Sequence, residues 1–422
     1  MRAAVRLAIS IGLAGSISAL GQAHPRMQGP TTSLASLVAE AQRNNSQVST
    51  AEHAWRASTH LAAQATTLPD PQFTVQNLSV GSPKPWAGFS NSDFAYVGFG
   101  VMQDFPYPGK LRLRGVAAER EADAQKAQIE VTRTNIADQV KTAYLRLAYL
   151  QQSVGLLDQN TTVIDALIKT EVARYSVGQG SQADILRAQL ERTKLLRETT
   201  RHEQEWGQLE ATLKSLAHRP LDSDDIIPEP LKVAEVSAQQ QEALSLVASQ
   251  NSTLKADRAM AVQQEARLQA AERGTKPDFS AGYMYQATGS AYRDYYVATF
   301  NLRFPRKKRV NAEIAEATEA LGRARAEADA DQQQLEAEAR KQAIAVQSSA
   351  ELMKEYEQGL IPQAESVYRS ELNAYQSNRS TLSAVLNALM ERISFEHDYQ
   401  QALLDRETAL AHLETLTGAE LQ

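Results

Sequence analysis

Val97-Gly-Phe-Gly-Val-Met-Gln-Asp-Phe-Pro-Tyr-Pro-Gly-Lys-Leu-Arg-Leu-Arg-Gly115 is the stretch on which the fold turns. In its first part the side chains alternate. Ala95, Val97, Phe99 and Val101 fall on one face, and Tyr96, Gly98, Gly100 and Met102 on the other, which is the period of a β-strand. Phe105-Pro-Tyr-Pro-Gly109 then stops the ladder, because proline has no N–H to donate and glycine accepts turn geometry. From 109 to 174 there is no proline, and the only glycines are Gly109, Gly115 and Gly155. That predicts a helix of about 65 residues, about 100 Å long at 1.5 Å per residue. A shortened copy, Tyr296-Val-Ala-Thr-Phe-Asn-Leu-Arg-Phe-Pro-Arg-Lys-Lys-Arg309, again leads into a long helix.

Moving outward, the lower half of the first long helix carries heptads. Val140, Leu147, Val154, Thr161, Ile168 and Tyr175 are seven apart, and Ala143, Leu150, Leu157 and Ile164 complete a coiled-coil seam. The helix breaks at 175–180, where Gly178 and Gly180 permit a tight turn and Ser181 can cap a returning helix over 181–217. Upstream, 33–67 reads as one helix, capped by Thr31, Thr32 or Ser33 and ended before Pro69 and Pro71. Two strands follow, over 72–80 and 94–104, with a Gly/Pro/Ser loop between them. Residues 218–235 form a Pro- and Asp-rich connector.

Beyond the connector the pattern repeats. Asn45 and Asn251, Pro71 and Pro277, and Phe73 and Phe279 are 206 residues apart. Phe105-Pro106 and Phe304-Pro305 are 199 apart, while Tyr175 and Tyr375, Leu186 and Leu386, and Leu216 and Leu416 are 200 apart. The chain is a duplication: residues 24–217 and 236–422, each helix, strand, strand, long helix, turn, helix. In the second copy the strands are expected over 278–286 and 294–304, the long helix over 307–374, the turn over 375–380 and the last helix over 381–417. In each half the two shorter helices sum to nearly the length of the long one. Stacked end to end, they would form a second rod beside it.

Residues 1–23, with Arg2 and Arg6, an apolar run and Gly21-Gln-Ala23, read as a secretory signal peptide. The chain has no cysteine, so disulfides and a lipidated cysteine anchor are excluded. No later stretch approaches 18 apolar residues, which excludes transmembrane helices. The net charge of −6 gives no case for a nucleic-acid partner. The seven histidines form no ligand pairs at helical spacing and methionines are sparse, so no metal site is expected. No nucleophile–base set or phosphate loop is present, so the chain reads as no enzyme, and no cofactor is called for.

Four strands cannot close a barrel, and an open sheet edge cannot face lipid. Two chains would supply eight strands and three would supply twelve. An eight-stranded barrel fills with its own side chains, so a conduit favours three or more chains. Tyr283, Tyr285, Tyr292, Tyr295, Tyr296 and Phe300, with Trp86, Phe89, Phe94 and Tyr96, suit the aromatic girdles of a membrane barrel. Core aromatics of a soluble hairpin are the alternative.

Leu68-Pro-Asp-Pro71, the run from Gln103 to Arg112, and Tyr175-Ser-Val-Gly-Gln-Gly-Ser-Gln-Ala-Asp-Ile-Leu-Arg-Ala-Gln189 resemble the TolC family of outer-membrane efflux proteins. The Phe-Pro-Tyr-Pro-Gly-Lys run looks most like its heavy-metal branch, the CzcC and CusC type. The resemblance implies a mainly α fold with membrane β. Three chains would share a 12-stranded outer-membrane β-barrel, and long antiparallel coiled-coil helices would form a periplasmic α-barrel. It also implies a periplasmic adaptor and an inner-membrane pump of the resistance-nodulation-division type.

On that resemblance the turns are periplasmic tips that meet the adaptor. They carry Tyr175, Gly178, Gly180 and Ser181 in the first copy, and Tyr375, Asn378, Arg379, Ser380 and Thr381 in the second. Turn chemistry alone also explains the glycines and Asn378. Asp184 is the constriction candidate, three copies making an acidic ring that favours cations. An acidic residue favouring the dipole of a helix start is the plain alternative. Phe105, Pro106, Pro108, Gly109, Lys110 and Arg112, with Phe304 and Pro305, mark the joint between barrel and tunnel. Lys110, Arg112, Arg114 and the 306–309 basic run are expected as solvated charges near lipid headgroups, or as a cationic lumenal ring. The functional expectation is a passive exit duct for heavy-metal cations in a tripartite system. A duct for drugs or secreted proteins, and a periplasmic coiled-coil structural or adaptor protein, are the alternatives.

Overall fold

The computed structural model describes residues 29–90, 92, 94–233, 246–289 and 294–418. The expected signal peptide, Tyr292 and the end of the connector lie outside them. In chain order the elements are β1 (Thr31–Thr32), α1 (Leu34–Asn44), α2 (Ser46–Thr66), β2 (Gln72–Leu78), β3 (Tyr96–Phe105), α3 (Lys110–Ser176), α4 (Gln182–Leu216) and β4 (Ile227–Pro228). They continue with α5 (Ser252–Arg273), β5 (Asp278–Thr288), β6 (Tyr295–Arg303), α6 (Lys307–Glu355), α7 (Ile361–Gln376) and α8 (Leu382–Thr417). At 67 residues, α3 is about 100 Å long.

The helix expected over 33–67 is instead two, α1 and α2. Ser33 caps α1, and Asn45 interrupts the run with an extended backbone (φ −64°, ψ 130°). The break has a cause. The Asn45 amide donates to the Leu216 carbonyl at the end of α4 (2.9 Å), while its side-chain oxygen caps α2 by accepting from Gln47 N–H (2.8 Å). Asn251 does the same in the second repeat, donating to the Leu416 carbonyl (2.9 Å) and accepting from Thr253 and Leu254. Each asparagine thus joins the two short helices end to end, and the composite rod lies along the long helix. Arg133–Glu52 and Arg192–Asp165 tie α3 to α2 and to α4 at opposite ends of its length.

The seam of α3 is buried at Val140, Ala143, Leu147, Leu150, Val154, Leu157 and Ile164. Toward the tip it steps by one residue. Asn160 and Leu167 are buried where Thr161 and Ile168 were expected, so one interval of the seam there spans six residues in place of seven. The second long helix differs more. Between α6 and α7, Tyr356–Leu360 form one π-helical turn, immediately before Pro362. Proline has no N–H for the Gln358 carbonyl, and a π turn accommodates one extra residue. This absorbs the change in repeat offset. Val140, Leu147 and Val154 match the buried Ala339, Val346 and Met353 at 199, whereas past the turn Ile164 matches Ala364 at 200.

The four long strands make one antiparallel sheet in the order β2-β3-β5-β6, so β3 and β5 join the two repeats. Register pairs Phe73 with Val101, Phe99 with Tyr285, Phe105 with Phe279, and Ala281 with Phe300. One face therefore carries Phe73, Val75, Phe99, Val101, Phe105, Phe279, Tyr283, Tyr285, Tyr296, Phe300 and Leu302. On this face the aromatics lie in two layers. Phe105, Phe279 and Phe300 stack at 5.3 and 6.0 Å near the helix end, and Tyr283, Tyr285 and Tyr296 lie at 5.6 and 6.3 Å nearer the loops. The opposite face is mixed: Gln72, Thr74, Gly98, Gly100, Gly282, Ser280, Asn301 and Arg303 lie among Tyr96, Met102, Met284, Tyr295 and Val297. The edges are bare: Phe73 is 82% and Tyr296 66% exposed. No described helix is long and apolar enough to cross a membrane.

A small parallel pair, β1–β4, brings the connector against the start of the chain. Tyr144 fastens it to α3, donating to the Thr32 carbonyl (2.7 Å) and accepting from Glu229 N–H (2.8 Å).

Candidate functional site at the tip and the joint

The two tips have the same backbone construction. Gly178 N–H reaches the Tyr175 carbonyl and Gln179 N–H the Arg174 carbonyl; Asn378 and Arg379 repeat this with Tyr375 and Ala374. This pair of hydrogen bonds closes a helix through one left-handed residue, Gly178 (φ 75°) in one turn and Asn378 (φ 57°) in the other. Ser181 and Thr381 then cap the returning helices by accepting from Asp184 and Ala384 N–H. Gly180 leaves little room, since a Cβ there would lie 3.1 Å from Tyr175 N, and Ser380 occupies the matching place with its hydroxyl on Glu371.

The side chains break the symmetry. Tyr175 is half exposed, but Tyr375 is only 8% exposed. The Arg174 guanidinium lies over the Tyr375 ring at 4.6 Å and donates to the Asn378 side-chain oxygen at 2.8 Å. Burial, then the neighbouring Glu171 carboxylate, push the Tyr375 phenol well above its ordinary range. The expectation that both tyrosines offer tip contacts is therefore corrected: Tyr375 faces inward, held by Glu171 and Arg174, and Tyr175 stays on the surface. Arg174–Asn378 and Arg187–Ser383 link the tip of one repeat to that of the other. Arg379 is exposed at the apex. Asp184 is half-buried in the first turn of α4, and one of its carboxylate oxygens accepts from the Ser181 hydroxyl at 2.7 Å. That is the reciprocal cap of a helix start, and it leaves the second oxygen for any further role.

At the joint, Phe105 closes β3, Pro106 and Pro108 carry the chain out of the sheet, and Gly109 (φ 92°) opens α3. Lys110 corrects a second expectation. It is 5% exposed, not a solvated boundary charge. Its ammonium donates to the Lys276 carbonyl (2.7 Å) and Asp278 (2.8 Å), and Asp278 also accepts from Tyr107 N–H (2.8 Å). Arg273 stacks on Tyr107 at 5.0 Å and donates to the Pro108 carbonyl. The cation is thus an internal bolt between the repeats. Arg112 and Arg114 are exposed, as are Phe304 and residues 306–309; Pro305 is half-buried.

A cluster absent from the sequence reading lies midway along the helices. Tyr149 hydrogen-bonds His397 Nε2 at 2.8 Å, and the His202 ring sits 6.1 Å from Tyr149 and 6.3 Å from His397. Burial, reinforced by Arg201 and His397, holds the buried His202 below the ordinary imidazole range. These residues lie 53 and 195 positions apart in pairs of neighbours, so no local spacing announced them. Among the described residues, no group of three or more His, Cys, Asp or Glu side chains could hold a metal ion.

A sheet with one apolar face, mounted on paired rods of this length, restricts the comparison with known proteins. The outer membrane efflux protein family matches residues 37–217. The match lies within the first repeat. The whole chain shares the fold of solved outer-membrane channels. The channel OprN superposes with a TM-score of 0.79 at 14% identity, over 92% of this chain and 90% of that one. The outer membrane protein VceC of Vibrio cholerae gives 0.76 at 18% identity, over 92% and 97%. CusC gives 0.76 at 14% identity, over 92% of both chains. No curated protein matches the chain in sequence. The chain as a whole therefore has the fold of outer-membrane channels, and its first repeat matches the outer membrane efflux protein family.

Proposed function

We propose that three copies of this chain close a 12-stranded barrel in the outer membrane, with their helices forming a periplasmic tunnel. The duct is passive: transport energy comes from an inner-membrane pump of the resistance-nodulation-division type, coupled through a periplasmic adaptor. The observation that carries this reading is the four-stranded sheet, with a continuous apolar and aromatic face, a more mixed opposite face, and unpaired edges at β2 and β6. An open edge has no stable place in lipid, so further copies must complete it. At the tip, Tyr175, Val177, Leu186 and Leu190 are 50%, 69%, 57% and 55% exposed, an apolar surface that suits an adaptor. Gly178, Gly180 and Ser181, with Asn378, Arg379, Ser380 and Thr381, shape that surface, and Asp184 supplies the acidic ring at the constriction.

The substrate class we propose is heavy-metal cations, on the resemblance of the 105–110 run to that branch. The similar fold scores of CusC, VceC and OprN do not discriminate between branches. Planar-bilayer recording tests the duct: stepwise conductance with cation preference is expected, and Asp184→Ala should weaken the preference. A protein that inserts no steps contradicts the reading. Deleting the gene should lower tolerance to metal ions. Unchanged metal tolerance with lost drug tolerance would transfer the duct to the drug-exporting class.

A further inference from the structure

The internal duplication specifies how one copy pairs with the next. Within the chain the repeats meet through β3 and β5, with Phe105 opposite Phe279 and their rings stacked at 5.3 Å. The repeat offsets carry each partner to its counterpart. Phe105 corresponds to Phe304, 199 residues on, and Phe279 to Phe73, 206 residues back. Both counterparts are phenylalanine, and both are left bare, 71% and 82% exposed, at the two unpaired sheet edges. The 199 offset holds from the Phe-Pro pair through the buried positions of the long helix, so it is anchored in packing on the helix side of the joint. A ring built from a heterologous contact requires one edge of each copy to fit the other edge of the next.

We infer that β6 of one copy pairs antiparallel with β2 of the next in a single register, set by a Phe304–Phe73 stack between subunits. The inference rests on the shared-barrel reading and adds the register to it. Leu302 then lies opposite Val75, and Phe300 opposite Asn77, which carries the apolar outer face across the subunit boundary through Phe304, Leu302, Phe73 and Val75. The polar bolt is not duplicated. Lys110 and Asp278 correspond to Arg309 and Gln72, so the joint between copies lacks the buried ion pair of the joint within a copy. Ring stacking and strand pairing hold that boundary.

The chain has no cysteine, so engineered pairs can be oxidised without background. Residues directly opposite across a ladder place their Cβ atoms at disulfide distance, whereas diagonal neighbours are too far apart. Val75→Cys with Leu302→Cys tests the inferred register. Val75→Cys with Phe300→Cys, or with Phe304→Cys, tests the two registers displaced by two residues on the same face. After oxidation in detergent or membranes, the 75/302 variant should give a covalent trimer that survives boiling without reductant, and the other two only background. Efficient cross-linking of a displaced pair, or of none while the unheated trimer band persists, overturns the register and leaves the shared barrel standing. Loss of any oligomer in the parent protein before oxidation would instead defeat the shared barrel itself.

Discussion

Asn45 and Asn251 show how much one side chain decides. Each ends one helix, caps the next and holds a third by its last carbonyl, so replacing either with Ala removes a cap and leaves a carbonyl unpaired. A cost of about 1–2 kcal/mol per site is expected, seen as a lower temperature for loss of helical circular dichroism in detergent. The asparagines were visible in the sequence as a repeated pair, but nothing local revealed that their partners lay 171 and 165 residues away. Lys110 was misread for the same reason: its partner Asp278 is 168 residues distant. His202 makes a further expectation at this scale. Its folded pKa is depressed by burial, then by Arg201 and His397, with Glu205 and Glu198 opposing. Neutral His202 therefore contributes stability above the ordinary imidazole pKa, and that contribution is lost as pH falls through the depressed folded value. Raised-pKa His412, paired with Asp138 at 2.7 Å, acts in the opposite sense, losing its contribution as pH rises through its folded value. His202→Phe should flatten the fall in melting temperature between neutral and mildly acidic buffer, and an unaltered slope would place the acid sensitivity elsewhere.

Among the elements, the first long helix was the most legible part of the chain, because period and the absence of proline settle a helix of that length, whereas Pro362 divides the second. The π turn was not read, although the change of offset from 199 to 200 carried the signal. An inserted residue between two matched positions must go somewhere, and Pro362 makes the turn before it the place where a regular helix is least stable. Deleting Gln358 together with Pro362→Ala should give a regular helix in the same register and preserve assembly. Deleting Gly155 from α3, which carries no extra residue, turns every tip residue by about 100° about the helix axis. That variant should lose the unheated oligomer band on gels. Equal tolerance of both deletions would mean that the π turn is not the compensating element. The strands were legible by alternation to within two residues at each end. The tip turns were legible as turns, but the inward placement of Tyr375 follows from Glu171 and Arg174 packing beneath it, which no turn motif encodes.

For the whole molecule, duplication explains both what is complete in one chain and what is left open. The helices of each repeat bury their seams within the chain, so the rods are largely satisfied alone. The sheet is not: its two central strands pair across the repeats, and its outer strands carry apolar side chains into open space. That contrast makes assembly in the membrane the central claim, and the mass of the purified protein in detergent tests it most directly. Native mass spectrometry should find one species containing three copies of the mature chain, which dissociates to monomer only on heating. A stable, water-soluble monomer of the same chain would contradict it.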